Sequence, residues 1–327
     1  MSSNDAGRTL ILTHADIDGM CAGALALARF PEARVFFTKP VSLYADLEDS
    51  EAERIIICDM AINRKNAPDI VSLLKRKRAE ITYFDHHPIP ETTSLDELRR
   101  SAKKFVWSDK LCASELVYDY FKKELPPERA WLALYGAIGD FTEEGSAAQA
   151  IMRNWDKHEV YFEVCSMIMA IKMKRFDTYD AKRGIVSSLA RGRNPASIDG
   201  LVESAAEAVG REIELYHQAK EMAMLIGRIG YMKDLPSFGF RGPAALFSAT
   251  VTNSPVGMYM ARRKNIVDVT IRKRVPGLAL NKLAEYASEQ VGGSGGGHPQ
   301  AAGCRIPMGM ENAFLEAANE WLRKNAG

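Results

Sequence analysis

Cysteine is sparse. The five in 327 residues (Cys21, Cys58, Cys112, Cys165 and Cys304) are odd in number and contain no C-x-x-C pair. That excludes a regular disulfide framework and implies buried thiols in a reducing compartment, so a cytoplasmic location is expected. Neither sign of charge is in excess: 43 basic residues against 42 acidic leave a formal +1. A dedicated duplex-DNA binder carries a clear basic surplus, so that class is disfavoured, whereas a short single strand held in a local groove is not. No run of about 18 apolar residues occurs, which argues against a membrane span. The opening Met1 to Gly7 is polar and lacks a basic segment, so no secretory signal is expected.

Core material, by contrast, is ample. Apolar residues make up 46% of a chain long enough for two domains. Thr9–Thr13, Val35–Phe37, Arg54–Cys58 and Glu80–Phe84 read as short strands, and Gly19–Phe30 and Asn66–Arg78 between them read as helices. Such alternation predicts an α/β fold with a parallel sheet covered by helices. Leu111–Lys123 and Glu128–Ile138 read as two helices split by Pro126-Pro127. From Arg153 to Gly230 the pattern is mostly helical, with one long helix over Leu201–Gly227. Pro236–Pro243 marks the expected boundary. Beyond it, Ala245–Val251 and Ile266–Ile271 read as strands, and Leu278–Gln290 and Met310–Lys324 as helices. The expected division is a first domain over 1–190, a helical connector over 191–235 and a smaller α/β domain over 236–327.

Acids and histidines gather where the apolar runs stop. Thr13-His14-Ala15-Asp16-Ile17-Asp18-Gly19 follows the first strand, Asp59 follows Ile57-Cys58, and Asp85-His86-His87-Pro88 follows Tyr83-Phe84. In extended backbone alternate residues face one side, so His14, Asp16 and Asp18 can point into one cavity. Asp140 sits in Gly136-Ala137-Ile138-Gly139-Asp140, whose glycines permit close backbone approach. Neighbouring parallel strands bring such residues to one sheet edge. Carboxylates crowded there repel one another unless cations neutralise them. A mixed carboxylate and imidazole set suits Mn²⁺, Zn²⁺ or Fe²⁺ better than Mg²⁺. The acids are too many for one ion, so two ions about 3.5–4 Å apart with a shared carboxylate are expected.

The second domain has its own pattern. The run Gly292-Gly293-Ser294-Gly295-Gly296-Gly297-His298 is expected to turn backbone N–H groups toward an anion, with His298 as a further donor. Arg272 and Arg274 alternate around Lys273 and could reach a phosphate; a solvated strand edge is the competing reading. Tyr231, Phe238 and Phe240 are candidates for stacking on a base.

The ordered set His14-x-Asp16-x-Asp18-Gly19, Asp59, Asp85-His86-His87 and Asp140, with the glycine-histidine tail, resembles the DHH phosphoesterase superfamily and its associated C-terminal domain. That superfamily includes RecJ-type exonucleases, nanoRNases, cyclic-dinucleotide phosphodiesterases and type II pyrophosphatases. The sequence departs from some members in having His14 where RecJ-like proteins often have Asp, and in the inserted Ser294. The resemblance implies one metal on His14, Asp16 and Asp59, and another on Asp18, Asp59, His86 and Asp140. It implies Asp59 and His87 as catalytic residues, the latter near the phosphate or the leaving group. Arg272, Arg274, Gly295, Gly296, Gly297 and His298 would bind substrate.

The expected activity is therefore metal-dependent hydrolysis of short single-stranded RNA or DNA, through a water activated by two ions, Mn²⁺ foremost. A cleft between the domains would admit such a thin substrate. A phosphodiesterase or phosphatase for small nucleotides, such as a cyclic dinucleotide or a 3′-phosphonucleotide, is the main alternative. An inorganic pyrophosphatase or a non-catalytic scaffold ranks lower. A homodimer is compatible with this reading.

Overall fold

The computed structural model describes residues 9–235 and 239–325. Met1–Gly7, the expected boundary at Pro236 and the stacking candidate Phe238 lie outside the described residues. The chain divides into two compact units, the first ending at Ala206 and the second starting at Glu207.

The first unit is built on a parallel sheet of five strands: β1 (Thr9–Thr13), β2 (Arg34–Phe37), β3 (Arg54–Cys58), β4 (Glu80–Asp85) and β5 (Lys104–Trp107). Their order is β2-β1-β3-β4-β5. The helices that cross between them are α1 (Ile17–Arg29), α2 (Leu43–Glu48), α3 (Ala67–Arg76) and α4 (Leu95–Ser101). Then follow α5 (Ala113–Phe121), α6 (Ala130–Gly139), α7 (Ser146–Met152), α8 (Lys157–Ala170) and α9 (Tyr179–Ala190).

The strands are near-continuous apolar runs because both faces of the sheet are covered. Ile11, Ile56 and Phe84 belong to a core with α1, α5, α6, α8 and α9. Their strand neighbours Leu10, Leu12, Ile55, Ile57 and Tyr83 point the other way, into a core with α2, α3 and α4. This period-2 alternation fixes which strand ends face which layer. The order reverses at β1, since β2 lies on one side of it and β3 on the other. Doubly wound sheets open a crevice at the carboxyl ends of the strands at such a reversal.

The expectations for the first sheet meet one omission: β5 was not foreseen. Its four residues, Lys104-Phe105-Val106-Trp107, carry too short an apolar run to stand out.

The second unit holds a mixed sheet of six strands in the order β10-β11-β9-β8-β7-β6. These are β6 (Met224–Ile226), β7 (Ile229–Lys233), β8 (Val256–Arg263), β9 (Ile266–Lys273), β10 (Ser294–His298) and β11 (Ala301–Pro307). Helix α10 (Leu201–Met222) contains the division between the units. The helices of the second unit are α11 (Arg241–Val251), α12 (Leu280–Glu289) and α13 (Glu311–Asn325). Leu283, Ala284 and Ala287 of α12 and Phe314, Leu315 and Leu322 of α13 share a core with Met258, Val269 and Ile306 of the strands.

Three expectations are corrected here. Ala245–Val251, read as a strand, lies in α11. Its buried residues Ala244, Ala245, Ser248 and Ala249 recur at helical spacing, and Ser248 Oγ donates to Gly230 O at 2.9 Å, seating the helix on the sheet. The long helix expected to reach Gly227 stops at Met222, and β6 and β7 form a hairpin that begins within the stretch read as helical and runs past its end at Gly230. The glycine run, expected to turn consecutive N–H groups toward an anion, forms from Ser294 onward the edge strand β10, paired antiparallel with β11 from Ser294 opposite Arg305 to His298 opposite Ala301. A ladder strand turns alternate N–H groups to its partner, so successive donors do not face one anion.

Candidate metal centre

Three neighbouring strands, β1, β3 and β4, end in the residues the sequence singled out. Thr13 closes β1 and His14 follows; Cys58 closes β3 and Asp59 follows; β4 ends on Asp85 and His86 follows. Asp16 caps α1: its Oδ1 accepts from Gly19 N at 3.0 Å. A side chain at Gly19 would meet His14 O at 2.5 Å, so the chain can turn from strand to helix here only with glycine. Asp18 lies in the first turn of α1 and is fully buried. Asp140 follows the last residue of α6.

The six residues form one cluster. His14 Nδ1 lies 2.6 Å from Asp16 Oδ2 and 3.7 Å from Asp59 Oδ2. His86 Nε2 lies 3.0 Å from Asp140 Oδ2, 3.5 Å from Asp59 Oδ1 and 3.9 Å from Asp18 Oδ2. Three ligand-like groups result: His14 with Asp16 and Asp59; Asp18 with His86 and Asp140; and Asp59 with His86 and His87. Asp59 is common to the first and third, His86 to the second and third. Asp59 itself takes a left-handed backbone, φ 54°, unusual for a residue other than glycine. Its N–H donates to Phe84 O at 2.9 Å, which ties β3 to β4 at this point.

Protonation shows how costly the cluster is without cations. Burial pushes the Asp59 carboxyl well above its ordinary value, and Asp16 pushes it further up. Burial also raises Asp140. Asp16 raises His14 to about 9. Burial alone would lower His86 and His87, but the surrounding carboxylates carry them to about 12 and about 9.

Even so, Asp59 Oδ2 and His86 Nε2 remain buried without a hydrogen-bond partner. Asp140 is close to His86 but poorly aligned. Such unpaired atoms cost about 1–3 kcal/mol each, more when charged. Divalent cations among these donors would pair both atoms and replace the histidine protons, so the residues present fit such ions.

Several contacts around the cluster were not foreseen. Asp85 is buried, and its Oδ1 lies 2.8 Å from His87 Nδ1, fixing that ring. Trp107 Nε1 donates to His87 O at 2.8 Å. Asp18 accepts from the backbone of α5: Ala113 N at 2.7 Å and Ser114 N at 2.9 Å. A side chain at Gly136 of α6 would collide with Ser114 Oγ and Asp18 Oδ1. The signal for the α5 contact lay in Cys112-Ala113-Ser114-Glu115, a helix start with Glu at the third position, but its partner is 95 residues away.

In the second unit, Arg272 stands on β9 opposite Ala301 and is half-buried. It donates to Ile271 O at 2.9 Å, and among the described residues no carboxylate pairs with it. Burial lowers its pKa. Arg274 is committed elsewhere: Nη2 donates to Asn253 Oδ1 at 2.6 Å and Nε to Ser254 O at 3.3 Å. Gly295, Gly296 and Gly297 are in β10, and His298 ends it, its Nδ1 accepting from Gln300 N at 3.3 Å. Of the stacking candidates, Tyr231 is half-buried in β7 and Phe240 is buried at the start of α11.

A parallel sheet with carboxylates and imidazoles gathered on its carboxyl edge, followed by a mixed-sheet unit, is an architecture of the DHH type. Residues 8–138 match the DHH family N-terminal domain and residues 244–324 match the DHHA1 domain, so the chain belongs to the DHH superfamily. A comparison with curated proteins finds no match.

Among solved structures, the chain is similar to RecJ of Thermus thermophilus in complex with Mn²⁺ (16% identity, TM-score 0.65), over 97% of this chain and 52% of that one. It thus spans about half the length of that RecJ. It is also similar to the pGpG-specific phosphodiesterase PggH of Vibrio cholerae (13%, TM-score 0.56, 97% and 99% covered). A third likeness is to an exopolyphosphatase-related protein of Bacteroides fragilis (14%, TM-score 0.57, 98% and 93% covered). At these identities the likeness is one of fold. Among the described residues, no helix is long and apolar enough to cross a membrane.

Proposed function

We propose that the chain is a metal-dependent phosphodiesterase that hydrolyses short single-stranded oligonucleotides from an end. His14, Asp16 and Asp59 would hold one divalent cation, and Asp18, Asp59, His86 and Asp140 the other. The observation that carries this reading is that Asp59 and His86, each with a buried atom (Oδ2 and Nε2) that makes no hydrogen bond, are shared among three ligand groups. When bound, a pair of divalent cations lowers the pKa of a water and offsets charge on the phosphoryl oxygens. Mn²⁺ suits this mixed ligand set, and the similar Thermus RecJ was solved with it.

The protein's own residues do the rest. Burial keeps bulk water from weakening the electrostatics at Asp18 and Asp59. His87 is held through Nδ1 by Asp85, so Nε2 is the nitrogen left to donate a proton to the leaving oxygen. Arg272, a half-buried guanidinium with no acid partner among the described residues, is suited to a second phosphate of the substrate. The edge strand Gly295 to Gly297 would let that phosphate approach the backbone, with His298 beside it. Arg274, tied to Asn253 and Ser254, would contribute less.

Hydrolysis of a small dinucleotide is the second reading, favoured by the likeness to PggH. Incubation with Mn²⁺ and end-labelled RNA and DNA of about 2 to 20 residues, cyclic dinucleotides and pyrophosphate decides between them. A ladder shortening one residue at a time supports the first reading. Cleavage of the dinucleotides alone supports the second, and turnover of none of them overturns both.

A further inference from the structure

The start of α5 does more than begin a helix. Glu115, buried at the third position of that helix, accepts from Cys112 N at 3.0 Å through Oε2. That bond closes the first turn and leaves the next two N–H groups, of Ala113 and Ser114, to point the same way. Both end on Asp18, one on each carboxylate oxygen, at 2.7 and 2.9 Å. Ser114 Oγ then donates to Ala133 O of α6 at 3.3 Å. Helix α6 leads directly into Asp140. One helix start therefore ties Asp18 on α1 to the helix that delivers Asp140, and these two acids share a ligand group with His86. Among the described residues, the other group, His14 with Asp16 and Asp59, has no member hydrogen-bonded to this helix start.

We infer that Glu115 is a positioning residue for one half of the metal centre, holding Asp18 through the backbone of Ala113 and Ser114 so that the Asp18, His86 and Asp140 group is preformed. This rests on the two-cation reading above. It assigns the halves of the centre different supports: one built by the ends of β1 and β3 and the cap of α1, the other tied in addition by the start of α5 to α1 and α6. Outer partners that orient ligands alter metal affinity by about 10- to 100-fold.

The test is calorimetric titration of the metal-free protein with Mn²⁺. The wild type should show two binding steps. Glu115→Ala should keep one and weaken the other by about 10- to 100-fold. Glu115→Gln, whose amide oxygen can still accept from Cys112 N, should restore both. Ser114→Ala, which keeps its N–H, should change the weaker step less than Glu115→Ala does. Retention of one step by Glu115→Ala also reports that the variant is folded. Should it fail to melt cooperatively, Glu115→Asp, one methylene shorter, is expected to show the same selective weakening. Two unaltered steps in whichever of Glu115→Ala and Glu115→Asp folds, or equal weakening of both steps there, would overturn the inference while leaving the metal centre in place. Absence of Mn²⁺ binding by the wild type would instead overturn the two-cation reading and this inference with it.

Discussion

Asp59 and His86 face each other at 3.5 Å between Oδ1 and Nε2, and each keeps a buried polar atom without a hydrogen bond. A folded protein rarely leaves two such atoms side by side unless something else occupies the space between them. Asp59 therefore stands at the crossing of the proposed ligand sets.

Replacing it gives the first prediction. Asp59→Asn should lower turnover by more than about 100-fold, since a direct ligand matters at least as much as an outer one. The variant should fold as well as the wild type. Asn accepts the left-handed backbone found here, φ 54°, and removes a buried charge. Steady-state rates with Mn²⁺ and a thermal melt check the two halves of the statement.

The second concerns pH. In the metal-free protein His14 and His87 keep their protons to about 9 and His86 to about 12, against 6.5 for a free imidazole. The folded form then binds more protons than the unfolded one between these values. Stability from these groups is complete below pH 6.5; the share from His14 and His87 is lost as pH rises through about 9, that from His86 only toward about 12. Melting temperature should fall over that window without metal. Saturating Mn²⁺ should reduce the fall, because cations take the place of the protons on His14 and His86.

Gly136 supplies a third. Alanine is normally the better residue inside a helix. Here its methyl group would strike Ser114 Oγ and Asp18 Oδ1, so Gly136→Ala should destabilise the protein by about 1–3 kcal/mol in denaturant unfolding.

Arg272 supplies a fourth. Arg272→Met keeps most of the volume and removes a guanidinium that no carboxylate offsets among the described residues. Stability should hold or rise, while KM for an oligonucleotide should increase by about 10- to 100-fold, the worth of a charged hydrogen bond. Arg274→Met should change KM less and stability more, since that side chain secures Asn253 and Ser254.

The first sheet is legible in the sequence because its strands are covered on both faces and so appear as unbroken apolar runs, as in Arg54-Ile55-Ile56-Ile57-Cys58. The acids and histidines were visible for the same reason: they fall where those runs stop. What sequence could not show was anything closed over long separations. Asp18 meets Ala113 across 95 residues, and no local pattern announces it. Helix α11 misled because Ala245-Leu246-Phe247 has strand-like hydrophobicity over a short stretch, whereas its helical face emerges only from the burial of the whole element. The glycine tract misled differently. Consecutive glycines suggest successive N–H groups open to an anion, yet β11 pairs with Gly295 to Gly297, and the ladder turns alternate N–H groups to it.

Crystals grown with Mn²⁺ and measured at its absorption edge test the central claim most directly. The account predicts two anomalous peaks among His14, Asp16, Asp18, Asp59, His86 and Asp140, with Asp59 touching both. No peak there, or Mn²⁺ only on surface carboxylates remote from Asp59, would contradict it.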